Sequence, residues 1–209
     1  MHFGVILPNY GLDSNPDGIR RVVEAAEELG FDSVWATEHI IVGPEAPDEY
    51  GRVYDPLVTL GWVAGWTERI GLGTSIVLVP LHNPMHLAKE VATLQELSGG
   101  RFTLGVGMGW HKDEFDFMGV PFEGRGRRAD EAIPLMRALW NGERDFEGEF
   151  WSFRRDLGAA PVAAAGNLGW RQFGARDPAG APKAPSSNSR TSPRCATSLA
   201  ATPRRERAA

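Results

Sequence analysis

Residues 25–40 read AAEELGFDSVWATEHI. Ala25 to Leu29 close an amphipathic helix, Gly30 supplies the residue that can turn left-handed after it, and Ser33 to Ala36 form a short apolar run that feeds directly into Thr37-Glu38-His39. A glycine-capped helix, a short joint and a strand make one αβ step of a parallel α/β fold. The same step recurs on both sides. Upstream, Phe3 to Leu7 is a buried-strand run closed by Pro8-Asn9 and Gly11. The helix after it starts at Asn15 as N-cap with Pro16 in its first turn, and it carries Ile19, Val22, Val23, Ala26 and Leu29 on one face.

Downstream, Pro56 opens a second helix with Leu57, Leu60, Val63 and Ala64 inside. Ile70 to Val79 reads as the third strand, and Asn83-Pro84 repeats the cap-plus-proline start for a helix that buries Leu87, Ala88, Val91, Ala92 and Leu94 and stops at Gly99-Gly100. Phe102 to Gly109 is the fourth strand, and Arg125 to Trp140 the fourth helix, in which Pro134 should introduce a kink or shift the start. Four βα units in series fit either a doubly wound sheet or the N-terminal half of a (β/α)₈ barrel. A dinucleotide-binding turn is a poor match, since the first βα turn reads PNYGLDSNPDG and Gly105-Val106-Gly107-Met108-Gly109-Trp110 has tryptophan in place of the third glycine.

In both architectures ligands meet the C-terminal ends of the strands, which selects Asn9, Glu38, His39, Thr74 to Ile76 and Gly107 to His111. Histidine gains or loses a proton readily near neutral pH, and an adjacent carboxylate can hold or tune it, so Glu38-His39 is the leading pair for proton transfer. A backbone-bonded loop cap would place His39 equally well. Gly105, Gly107 and Gly109 alternate, leaving one side without side chains, which suits either close packing or the approach of a flat ring. His82 and His86, with Glu90, have a metal-like spacing but no third convergent ligand, and His82 precedes the helix. Arg125, Arg127 and Arg128 lie beside Asp130 and Glu131 and read as a solvated helix start.

The 209 residues are 42% hydrophobic and 23% charged, with a net charge of −5 and a single cysteine, Cys195. That leaves no disulfide within the chain. The charge is uneven: residues 155–209 hold 9 Lys+Arg against 3 Asp+Glu, so residues 1–154 hold 13 against 24. An acidic domain lacks the basic face that nucleic-acid binding needs. The N-terminus MHFGVILPNYG has no basic leader, and no apolar run approaches the roughly 20 residues of a membrane helix. The expectation is a cytoplasmic protein acting on a small molecule, without nucleic-acid or membrane partners.

Five segments together resemble the luciferase-like monooxygenase superfamily, and within it the branch using the deazaflavin coenzyme F420. They are FGVILPNYG (3–11), AAEELGFDSVWATEHI (25–40), DPLVTLGWVAGWTERIGLGTSIVLVPLHNP (55–84), LAKEVATLQELSGGRFTLGVGMGW (87–110) and GVPFEGRGRRADEAI (119–133), and the likeness runs to about Phe153. The resemblance implies a (β/α)₈ TIM-type barrel with the cofactor across its C-terminal mouth. It implies His39, beside the deazaflavin ring, as the residue assisting proton transfer, with Glu38 next to it. Thr74, Ser75 and Ile76 match the bulge behind the ring, where relatives often hold a non-prolyl cis peptide, and Gly107, Met108, Gly109 and Trp110 match the cofactor-contacting end of strand four. The implied chemistry is hydride transfer to or from F420, or monooxygenation if FMN takes its place.

A (β/α)₈ barrel takes about 250 residues, and a fifth strand is due shortly after Phe150 to Phe153. Instead, residues 155–209 become rich in Ala, Arg, Pro, Ser, Gly and Thr, a composition expected of disordered chain and of GC-rich DNA read in a shifted frame. The expected organisation is thus an N-terminal half-barrel, residues 1–154, and a tail, residues 155–209. A truncated enzyme that has lost activity, or a half-barrel scaffold that closes by forming a homodimer, are the alternatives this leaves.

Overall fold

The computed structural model describes residues 1–43 and 50–154 fully and the backbone of 169–172. Three of the helices begin at a side-chain cap. The Asn15 side chain accepts a hydrogen bond from Gly18 N at the start of α1 (Pro16–Glu28). Asp55 does the same for Val58 N in α2 (Pro56–Ala64). Asn83 accepts from Met85 N and His86 N in α3 (Pro84–Leu97). These side chains satisfy amide donors that the first turn leaves without helical partners. Gly30 ends the first helical segment at φ 78°, as expected.

The helices alternate with parallel strands: β1 (Gly4–Ile6), β2 (Ser33–Ala36), β3 (Gly71–Thr74), β4 (Val77–Leu78), β5 (Phe102–Gly107) and β8 (Gly169–Gln172). Pairing runs β1 to β2 to β3, and β5 then takes β3 along its first residues and β4 along its last. The third strand expected over Ile70 to Val79 is therefore one strand position interrupted after Thr74. On its other side β5 pairs with β8, from Thr103↔Gly169 to Val106↔Gln172. The strand positions follow chain order with no reversal, which is barrel order and lacks the switch point of a doubly wound sheet. β8 falls inside the segment assigned to the tail, so a fifth parallel strand does follow the first four. The other tail residues, and the disorder expected of them, lie outside the described residues. Residues Met1–Arg176 form one structural unit.

The core lies between the sheet and the helices. Leu7, Val34, Ala36, Leu72, Phe102, Leu104 and Val106 meet Ile19, Val23, Leu60, Val63, Leu87, Val91, Leu135 and Met136 there. On the opposite face, the Trp35 indole spreads over its neighbours: a Cβ at Gly73 would lie 2.4 Å from it, so only glycine fits. Two helices follow β5, a short α4 (Lys112–Phe117) that the sequence reading passed over and α5 (Arg125–Trp140), which runs through Pro134 as one 16-residue helix. An antiparallel pair, β6 (Asp145–Glu147) and β7 (Ser152–Arg154), comes after it.

Candidate active site

His39 lies three residues past the end of β2. Its Nδ1 lies 2.9 Å from Glu114 Oε2, and the other carboxylate oxygen accepts the Ile40 amide at 2.8 Å. Glu114 sits in the first turn of α4 and is fully buried. The Tyr50 ring lies 4.4 Å from the imidazole, centroid to centroid, and the Trp110 indole meets it edge-on at 6.0 Å. Among the described residues, Nε2 of His39 has no hydrogen-bond partner.

Glu38 does not hold His39. Successive side chains of extended backbone point to opposite sides, so the two neighbours diverge: Glu38 is buried, accepts the Leu78 amide at 2.5 Å, and lies 3.0 Å from His82 Nε2. Burial disfavours charge on His82, but the hydrogen bond to Glu38 and its negative charge outweigh this, and the imidazole is raised above its ordinary pKa. Glu38 thereby fastens β4 and the following turn to the end of β2. His86 faces Glu90 across an exposed helical turn, and among the described residues no three metal-ligating side chains converge.

The interruption after Thr74 has a local logic. The Ser75–Ile76 peptide is cis, as the resemblance implied. Between the β3 register, which ends at Thr103, and the β4 register, which begins at Val106, Gly105 has no ladder partner on this side. The Thr74 hydroxyl takes that place, donating to Gly105 O and accepting from Gly105 N, each at 2.9 Å. Thr74 is completely buried and committed to the sheet, whereas Ser75 and Ile76 are half-buried. Two of the three alternating glycines serve packing. A Cβ at Gly107 would lie 2.2 Å from Ile76 Cδ1, and one at Gly109 would lie 2.9 Å from the Phe115 ring. Met108 leans toward α5, its sulfur 3.3 Å from where a Gly126 Cβ would be, and Trp110 remains 59% exposed.

Asn9 is buried as a tie between loops, donating to Thr37 O and Tyr54 O and accepting the Thr37 amide. The arginine cluster is solvated only in part: Arg127 pairs with Glu149 on the exposed surface, whereas Arg125 donates to Gly109 O and stacks on Phe122 and Arg128 lies over Phe150. Two residues escaped the sequence reading of the His39 loop. Glu114 holds His39 and Ile40, and Nε2 of the buried His111, until now only a strand-end candidate, accepts the Gly43 amide at 3.0 Å. Both contacts join positions about 70 apart in the chain, and no periodicity announces them.

Parallel strands paired in chain order, with helices between them, are the arrangement of the (β/α)₈ barrel class. The luciferase-like monooxygenase family model matches residues 1–176, past the boundary at 154, and the chain belongs to that family. An uncharacterized protein of Mycobacterium tuberculosis is 38% identical over 167 residues, covering 73% of this chain and 58% of that protein. The F420-dependent glucose-6-phosphate dehydrogenase of Kineococcus radiotolerans is 38% identical over 163 residues, covering 72% of this chain and 47% of the enzyme. The monooxygenase RslO1 from Streptomyces bottropensis superposes with a TM-score of 0.65 at 31% identity, covering 82% of this chain and 50% of that one. The chain thus spans about half the length of these relatives, and the flavin-dependent trigonelline monooxygenase of Acinetobacter baylyi is 28% identical over 145 residues, covering 68% of this chain and 39% of that protein.

Proposed function

We propose that this chain carries the cofactor-side half of an F420-dependent oxidoreductase, with hydride transfer between the deazaflavin and a small organic substrate. The observation that carries the reading is His39, fastened at the end of β2 through Nδ1 and Ile40 N while Nε2 is left for a reacting group. The surroundings fit a flat ring. Ser75 and Ile76 are half-buried at the bulge, the Ile76 side chain closes the wall at Gly107, and exposed Trp110 offers an aromatic surface beside His39. Ser75, Ile76, Met108 and Trp110 would hold the ring, with Thr74, Gly107 and Gly109 shaping the wall behind it. When bound, the deazaflavin supplies a carbon that takes or gives hydride.

The chain's own part is to orient the substrate and move a proton. His39 Nε2 takes the proton from a substrate oxygen as hydride leaves the carbon, or returns it in the reverse direction. Glu38 and His82 keep the bulge in register from behind. Relatives at 38% identity bearing F420-dependent names favour the deazaflavin, and the flavin-dependent relatives make FMN monooxygenation the second reading.

Size-exclusion chromatography with light scattering, run with F420 and with FMN, tests both. Co-elution of F420 supports the proposal and co-elution of FMN the second reading. A homodimer that carries neither would make the chain a scaffold.

A further inference from the structure

A fully buried carboxylate is costly unless its oxygens are satisfied, and Glu114 spends both on one loop. Oε2 faces His39 Nδ1 at 2.9 Å, and Oε1 receives the Ile40 amide at 2.8 Å. An ionised carboxylate only accepts hydrogen bonds, so the neutral imidazole facing it must carry its hydrogen on Nδ1 and present Nε2 as a lone pair. Glu38, the sequence neighbour that could have competed, is turned away onto Leu78 N and His82. We infer that Glu114 is the positioning residue of this site, fixing His39 as the Nδ1–H tautomer with Nε2 unprotonated and pointing toward the reacting group.

The role rests on the reading of His39 as the proton-handling residue, although the tautomer can be observed without any ligand. Tyr50 and Trp110 against the ring restrict its tilt, whereas Glu114 decides which nitrogen is basic. A ring turned over would place a hydrogen on the side where a proton must be accepted, and the step would stall even with His39 in place. Glutamine at position 114 preserves shape but has one oxygen. His39 Nδ1 and Ile40 N meet different carboxylate oxygens, and with the amide oxygen kept on Ile40 N–H the NH₂ faces Nδ1, donates to it and so favours the opposite tautomer.

Long-range ¹H–¹⁵N correlation spectra of the full chain, labelled at histidine and recorded above the imidazole titration, read this directly, with His39→Gln assigning the signals. The expected wild-type pattern is a protonated, pyrrole-type Nδ1 and an unprotonated, pyridine-type Nε2, in about tenfold excess or more, the ratio a charge-assisted hydrogen bond sustains. Glu114→Gln should collapse or reverse that excess, and Glu114→Asp should restore part of it. A wild-type Nε2–H tautomer overturns the inference without recourse to any variant, as does an unchanged ratio in Glu114→Gln. F420 titration of the same wild-type sample keeps the two ideas apart. An Nδ1–H tautomer without cofactor binding sinks the functional reading alone, and binding with an Nε2–H tautomer sinks this inference alone.

Discussion

Arg101 shows how much one side chain can fasten at the end of the sheet opposite the site. Its guanidinium donates to Ser98 O, Thr67 Oγ1, Ile70 O, Ala64 O and Thr67 O, joining the starts of β3 and β5 to the end of α2. Arg101→Met keeps the stem but leaves several acceptors unpaired, and we expect a loss of about 3 kcal/mol in urea unfolding. Trp110→Ala should behave oppositely: at 59% exposure it changes stability little, while F420 affinity falls roughly fivefold through loss of about 1 kcal/mol of ring contact. Gly107→Ala pushes a Cβ against Cδ1 of the half-buried Ile76, which must turn to another rotamer, and should cost about 1 kcal/mol, seen as a slightly lower unfolding midpoint. His39 was legible in the sequence as a polar residue directly after a buried strand. Its partner was not, because adjacency suggested Glu38 and the extended backbone sends neighbouring side chains apart.

At the scale of elements, the caps and hydrophobic faces were readable, since Asn15, Asn83 and Gly30 act within a turn of where they stand. The break between β3 and β4 was less so. The run from Ile70 to Val79 has strand composition throughout, and only the Thr74 contact with Gly105 explains how the sheet tolerates an interruption. α4 is six residues long, too short for a hydrophobic period to emerge, yet it delivers Glu114. The Glu38–His82 pair gives the β4 region a pH dependence. With His82 raised in the folded chain, its contribution is fully present below the ordinary histidine value of about 6.5 and is lost as pH climbs through the raised one. Thermal unfolding from pH 5.5 to 8.5 should therefore show a decline in the wild type that His82→Gln lacks, and parallel curves would argue against the pairing.

For the molecule as a whole, alternation of strands and helices was enough to identify an α/β chain, and the family resemblance chose the barrel. The fifth parallel strand was missed because Gly169–Gln172 lies in a stretch whose Ala, Arg and Pro content conceals a four-residue segment. The surroundings of His39 draw on the end of β2, Tyr50, Trp110 after β5 and Glu114 of α4, all within residues 1–154. That grouping makes cofactor recognition by this chain a sharp test. The most direct measurement is a fluorescence titration of F420 with the purified chain, with FMN added as competitor. The account predicts saturable F420 binding that excess FMN displaces weakly. Tighter binding of FMN, or no binding of either molecule, would contradict it.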